Sequence, residues 1–127
     1  MVKKLREFGF EKIGEIKLID GKFQKFQNIK DRKEQVLFLI ASNSQIKYIG
    51  RTTQNLYKGF NQVISNQKSR DTYMRVMQEM KKCIKDNTKI YLYSKFMYEK
   101  FTGKELDEKK LFYIDETKPE WNIKNSC

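Results

Sequence analysis

Two short apolar runs joined by a polar turn constrain this chain more than any other feature. The first run is Val-Leu-Phe-Leu-Ile at 36–40, a polar Ala-Ser-Asn-Ser-Gln segment follows, and the second run contains Tyr48-Ile49-Gly50 and ends at Arg51. Short runs rich in β-branched and aromatic residues on both sides of a polar segment are typical of a β-hairpin. We therefore predict a central hairpin that pairs 35–41 with 45–50.

Periodicity along the rest of the chain predicts an α+β protein. Near-alternation around Asp20-Gly21 indicates an additional N-terminal hairpin, and apolar residues at helical spacing between Tyr73 and Ile84 indicate a long helix. The predicted order is a short helix or coil over 2–10, the N-terminal hairpin over 15–26, a polar connector over 28–34, the central hairpin, helices over 56–66 and 71–85, a third central strand over 89–93 and a last helix over 105–115 before Pro119.

These elements predict a small central antiparallel or mixed β-sheet flanked by helices, with an extra N-terminal β-hairpin. With 127 residues, the chain has the length of one domain. We divide this domain into an N-terminal extension over 1–34 and a core over 35–127.

Positive charge is concentrated in the middle of the chain. The net charge is +11, and residues 41–98 hold eleven basic and three acidic side chains. Residues 35–70 hold no acidic side chain. A region of one sign attracts polyanions through long-range steering and counterion release. The charge therefore favours a nucleic acid as partner, although it does not separate DNA from RNA.

Composition also excludes several kinds of site. The chain has no histidine, which removes a histidine general base, and its two cysteines, Cys83 and Cys127, give neither a disulfide framework nor a CxxC metal spacing. The longest apolar run is far shorter than a membrane span, and no signal-peptide pattern is present. We expect a cytoplasmic protein that has no contact with a membrane and binds no small-molecule cofactor.

The central hairpin resembles that of the GIY-YIG nuclease family. Leu37-Phe38 stands where the family has the Ile-Tyr of its first motif, and Tyr48-Ile49-Gly50 matches the second motif outright. Residues 118–122, Lys-Pro-Glu-Trp-Asn, resemble the closing segment of the family, with Asn122 at its terminal asparagine. The resemblance covers roughly residue 35 to the C-terminus and extends, through residues 10–15, to restriction-enzyme-like members. It implies a GIY-YIG fold and DNA as the substrate class.

The resemblance also implies a mechanism. Family members hydrolyse a DNA phosphodiester with one divalent metal ion. A tyrosine phenol accepts a proton from water, an arginine stabilises the phosphate, and a glutamate holds Mg²⁺. Tyr48 keeps the second phenol of the pattern, so that Tyr48 and Arg51 are the candidate catalytic residues if the chain is active.

Four positions depart from the family pattern. Phe38 lacks the hydroxyl of the first tyrosine, Gly59 stands where an arginine is expected, and Val63 stands where a histidine or tyrosine is expected. The metal-binding glutamate falls on Lys110, whose ammonium repels a divalent cation. We therefore predict that nuclease activity is lost or strongly impaired and that the chain holds no metal ion.

A substitute ligand requires a shifted register. Glu108 or Glu105 would hold Mg²⁺ in an active protein only if the alignment moved by two or five residues. Residues two apart on a helix point to different faces, so Glu108 is a poor replacement for the residue at position 110.

Three hypotheses follow. The first is a DNA-binding protein on a degenerate nuclease fold; the second is a divergent Mg²⁺-dependent DNA endonuclease; the third is an inhibitor or immunity factor that binds a protein partner. The candidate nucleic-acid-binding residues are cations on or after the central hairpin: Lys47, Arg51, Lys58, Lys68, Arg70, Arg75, Lys81 and Lys82.

Overall fold

The structure is a computed structural model that describes residues 2–23, 35–43, 45–52, 60, 71–97, 101–119 and 121–122. In chain order its elements are α1 (Val2–Glu7), β1 (Glu11–Ile16), β2 (Leu18–Ile19), β3 (Lys22–Phe23), β4 (Gln35–Ala41), β5 (Ile46–Thr52), α2 (Asp71–Lys85), β6 (Ile90–Met97) and α3 (Gly103–Thr117). The predicted α+β class is confirmed. No helix in these described ranges has the length and hydrophobicity needed to cross a membrane.

Four of the strands form one sheet in the order β1-β6-β4-β5, in which every neighbouring pair is antiparallel. The predicted central hairpin is β4 and β5. The N-terminal hairpin is the separate pair of β2 and β3, and its turn residues Asp20 and Gly21 adopt the left-handed conformation. Such a two-residue turn matches the twist of the strands that it joins.

The N-terminal part of the chain contributes a strand to the central sheet, which the sequence does not indicate. Strand β1 pairs with β6 at the edge of the central sheet, although residues 1–34 read as an extension outside the core. Its polar, partly exposed side chains hide the strand signal, because an edge strand buries few of its residues. Strand β6 is also longer than predicted, since its pairing with β4 extends it to Met97, opposite Gln35.

The central sheet is covered on both faces. Phe38, Ile40 and Tyr48 point to one side, where they pack with buried residues of α2; we call this side the α2 face. Leu37 and Ile49 point to the other side, together with Leu106 of α3, α1 residue Leu5 and Phe10; this is the α3 face. Because β4 lies between two layers, residues 36–41 are all buried, which explains their uninterrupted apolar sequence.

Local signals fix the ends of the helices. Helix α2 gives way to β6 at Asn87, which adopts a left-handed conformation that asparagine tolerates well. Helix α3 begins with a capping box between Thr102 and Glu105, and it ends at Lys118, whose N–H donates to the carbonyl of Ile114. The connector over 28–34 lies outside the described residues. So does the helix predicted over 56–66, apart from Phe60, which is helical and buried.

Candidate functional site

Phe38 and Gly50, which correspond to the two family motifs, lie directly opposite each other in the central hairpin. The ring of Phe38 covers Gly50 so closely that a Cβ atom at position 50 would lie 2.5 Å from Cζ of Phe38. A side chain at Gly50 therefore requires the ring to move. The phenylalanine, only 2 % exposed, fills the space above the glycine and is part of the hydrophobic core.

Tyr48 and Arg51 lie on opposite faces of the sheet. Tyr48 packs on the α2 face, where its ring is 6.2 Å from that of Phe38 and only 6 % of the residue is exposed. Arg51 points to the α3 face, because it alternates with Gly50 along β5 and lies opposite Leu37. The structure therefore does not bring these two candidate catalytic side chains together.

Arg51 instead forms an ionic cluster with two residues of α3, Asp107 and Lys110. Its Nε donates to Oδ1 of Asp107 at 2.7 Å and its Nη2 donates to Oδ2 at 3.2 Å. Nζ of Lys110 lies 3.8 Å from the same Oδ1. One carboxylate therefore lies between two cations. The three side chains are 31 %, 43 % and 28 % exposed, in the order Arg51, Asp107 and Lys110, so the cluster is accessible from solvent.

The helical spacing of α3 explains why Lys110 is drawn inward. It follows the buried Leu106 by one turn and therefore points to the side of the helix that packs on the sheet. Burial lowers the pKa of the Lys110 ammonium; nearby Asp107 opposes that shift, and Arg51 adds to it. The position to which the resemblance assigns a metal-binding carboxylate is thus occupied by a half-buried cation beside a second cation. These residues do not fit a divalent cation.

Glu105 and Glu108 are both exposed on α3 and lie apart from the Arg51–Asp107–Lys110 cluster. Glu105 accepts a hydrogen bond from the N–H of Thr102 in the capping box, which lowers the pKa of its carboxyl. Glu105 and Glu108 both line a cavity of about 510 Å³, together with Lys95 and Tyr113. Neither glutamate contacts Arg51 or Lys110 in the interactions of the described residues. Among all the residues that the structure describes, no group of three or more acidic or cysteine side chains is placed to hold a metal ion.

Asn122 has a long-range structural role. Its Oδ1 accepts from the N–H of Ile49 at 2.8 Å, and its Nδ2 donates to the carbonyl of Ile49 at 3.0 Å. The N–H of Trp121 donates to the carbonyl of Lys47. Because β5 is an edge strand, these bonds close part of its open side and fasten the chain after α3 to the Tyr48-Ile49-Gly50 motif.

The other predicted nucleic-acid-binding residues are in varied environments. Arg75 is half-buried and donates from Nη2 to the carbonyl of Trp121 at 2.6 Å, a bond that supports the same C-terminal segment. Lys47 donates to the side chain of Gln45, whereas Lys81 and Lys82 are exposed on α2. Several predicted positions lie outside the described residues: Lys58, Gly59, Val63, Lys68 and Arg70.

Two important side chains were not identified from the sequence. Asp107 would have been a candidate partner for a cation from its spacing of three residues to Lys110, but its pairing with Arg51 joins positions 56 residues apart. Lys95, on β6, donates to the carbonyl of Phe8 and the hydroxyl of Tyr113. No short-range pattern connects Lys95 with either partner.

The fold is similar to that of a solved protein, bacteriophage T4 EndoII, whose structure is of a variant with one glutamate replaced by alanine. The two chains are 25 % identical with a TM-score of 0.75, and the match covers 97 % of this chain and 98 % of the other. The chain has the GIY-YIG nuclease fold. No family model matches it, and no curated protein matches it either.

Proposed function

We propose that this chain is a DNA-binding protein on a GIY-YIG nuclease fold and has lost metal-dependent phosphodiester hydrolysis. The observation that carries the proposal is the ionic cluster of Arg51, Asp107 and Lys110. In the family, the residue at position 110 is expected to be the glutamate that holds Mg²⁺. Here that position supplies an ammonium, and the adjacent carboxylate is already paired with a guanidinium.

Electrostatics oppose a metal ion at this place. Mg²⁺ takes oxygen ligands and is stabilised by carboxylates, whereas two neighbouring cations repel it. Moving Asp107 to a metal ion would remove the neutralising partner of both Arg51 and Lys110. The candidate replacement ligands, Glu105 and Glu108, line a cavity whose lining does not include the ionic cluster.

The residues expected to accept a proton from water are also poorly placed for the family mechanism. Phe38 has no hydroxyl and is part of the core on the α2 face. Tyr48 lies on that same face, whereas Arg51 lies on the other. A reaction that needs a phenol and a guanidinium at one phosphorus atom is therefore poorly served by this pair.

Several observations support DNA binding. The net charge of +11 favours association with a polyanion, and Lys81 and Lys82 are exposed on α2. The likeness to T4 EndoII extends over nearly the whole of both chains. A nuclease fold that has lost its metal ligand can retain a basic surface for the phosphate backbone.

Two assays test the proposal. We expect no nicking of supercoiled plasmid above background with either Mg²⁺ or Mn²⁺, and we expect duplex DNA binding that weakens steeply as salt is raised. Cleavage that is abolished by Tyr48→Phe would contradict the loss of activity. No DNA binding at low salt would contradict the binding function and favour the protein-partner hypothesis.

The second candidate is a divergent DNA endonuclease, which the extent of the likeness to T4 EndoII favours. It requires Glu105 or Glu108 to act as the metal ligand. Metal-dependent cleavage that is lost in Glu108→Gln or Glu105→Gln, but retained in Glu116→Gln at the far end of the same helix, would establish this candidate.

A further inference from the structure

The carboxylate of Asp107 is held in a geometry that also suits a phosphate. Arg51 presents Nε and Nη2 to the two carboxylate oxygens, at 2.7 and 3.2 Å. This two-point arrangement is the one that arginine uses for phosphate oxygens as well. Lys110 approaches the same carboxylate from within α3, at 3.8 Å. The two cations therefore converge on one anionic group.

The position of the cluster makes exchange of that group feasible. The side chain of Asp107 is 43 % exposed, so it can rotate into water without passing through the core. An ion pair at this exposure contributes only about 0–1 kcal/mol to stability. When the carboxylate leaves, Arg51 and Lys110 remain beside each other, and neither has another ion-pair partner among the described residues. An incoming phosphodiester would replace that counter-ion and restore two charge-assisted contacts.

We propose that Arg51 and Lys110 form a metal-free binding site for a DNA phosphodiester, and that Asp107 occupies this site in the free protein. The site rests on the DNA-binding function proposed above and specifies how one phosphate is held. The lysine at the former ligand position thus has a binding role of its own: it supplies directly the positive charge that the metal ion supplies in the nucleases. Asp107 is a built-in competitor, and it lowers affinity until DNA displaces it.

The test uses the whole chain, a labelled DNA duplex and EDTA, with binding followed by fluorescence anisotropy. Asp107→Asn removes the competing charge with little change in shape, so it should tighten binding about two- to fivefold, which corresponds to the strength of a partly exposed ion pair. Asp115→Asn is the matched control. It makes the same charge change at an exposed position on the same helix and should give less than half of that effect.

A second pair of variants tests the cations. Lys110→Gln should weaken binding and reduce the slope of log K against log salt by about one, because one phosphate contact is lost. Lys104→Gln removes an exposed cation from the same helix and should leave the slope nearly unchanged. Circular dichroism and thermal unfolding of every variant verify that the fold is intact, and Asp107→Ala repeats the first test with a different side chain.

The outcomes separate the two proposals. If the natural chain and Asp107→Asn both fail to bind DNA at low salt, the DNA-binding function is wrong and the site is wrong with it. If DNA binds but Asp107→Asn and Asp115→Asn behave alike, or Asp107→Asn weakens binding, the site alone is overturned. Weaker binding would mean that Asp107 holds Arg51 in position rather than competing with DNA.

Discussion

The hydrogen bonds between Asn122 and Ile49 allow a quantitative prediction about the stability of the fold. Asn122 is 6 % exposed and satisfies both the N–H and the carbonyl of Ile49. In Asn122→Ala these two main-chain groups lose their partner. Each buried group left without a hydrogen bond costs about 1–3 kcal/mol. Because an edge strand admits some water, we expect a loss of about 2–4 kcal/mol in the free energy of unfolding, a large part of the stability of a small domain.

Urea unfolding measures this loss directly. Trp121 is the only tryptophan, is 3 % exposed and lies next to the substitution, so its fluorescence reports release of the C-terminal segment. Far-ultraviolet circular dichroism reports the whole fold. With an m-value of about 2 kcal/mol/M, the midpoint should fall by about 1–2 M. The control, Asn43→Ala, removes an exposed asparagine from the β4–β5 turn and should change stability by less than about 0.5 kcal/mol.

Asn122→Asp separates the two hydrogen bonds. A carboxylate at position 122 still accepts from the N–H of Ile49, but it faces the Ile49 carbonyl without a proton to donate. Protonation restores the donor, so the pKa of this carboxyl is raised in the folded state. A raised pKa means that the folded state binds more protons, and stability therefore increases as pH falls. The stability of Asn122→Asp relative to Asn122→Ala should rise between pH 7 and pH 4.

Two results would refute the conclusion that Asn122 stabilises the edge strand β5. One is a loss below about 0.5 kcal/mol in Asn122→Ala, which would mean that water satisfies the Ile49 main chain as well as the amide does. The other is a difference between Asn122→Asp and Asn122→Ala that does not change with pH. That result would show that the donor to the carbonyl contributes nothing.

Four further predictions concern other contacts. Gly50→Ala should destabilise the fold by about 1–3 kcal/mol in urea unfolding, and less so in a Phe38→Leu background; equal losses in both backgrounds would contradict the close contact. Ser94→Ala should be neutral or stabilising by up to about 1 kcal/mol, because the buried Oγ has no hydrogen-bond partner among the described residues, and a clear loss would disprove this. Thr102→Ala should lower the free energy of unfolding by about 0.5–2 kcal/mol because the helix cap is lost, whereas Thr102→Ser should retain most of the stability that the cap provides. Lys110→Glu places a second carboxylate beside the first, so millimolar MgCl₂ should raise the melting temperature of this variant more than that of the natural chain; an equal response would mean that charge at position 110 does not decide metal binding.

Much of the fold follows from local patterns. The apolar run of β4, the helical spacing in α2 and the proline after α3 each specify an element through short-range chemistry, and each element lies where its pattern predicts. Strand β1 was missed because an edge strand with exposed polar side chains has no distinctive local pattern. Its place is decided by pairing with β6, which lies about 80 residues further along the chain.

The sequence by itself determined the fold class through residue type and spacing. Its resemblance to the GIY-YIG family predicts that Lys110 stands at the position of the family's metal-binding glutamate. Only the tertiary structure decided which side chains meet there. Strand alternation sends Tyr48 and Arg51 to opposite faces of the sheet, and the packing of α3 brings Asp107 and Lys110 to Arg51. Contacts between residues far apart in the chain depend on how the helices pack on the two faces of the sheet, and no local sequence pattern predicts that packing.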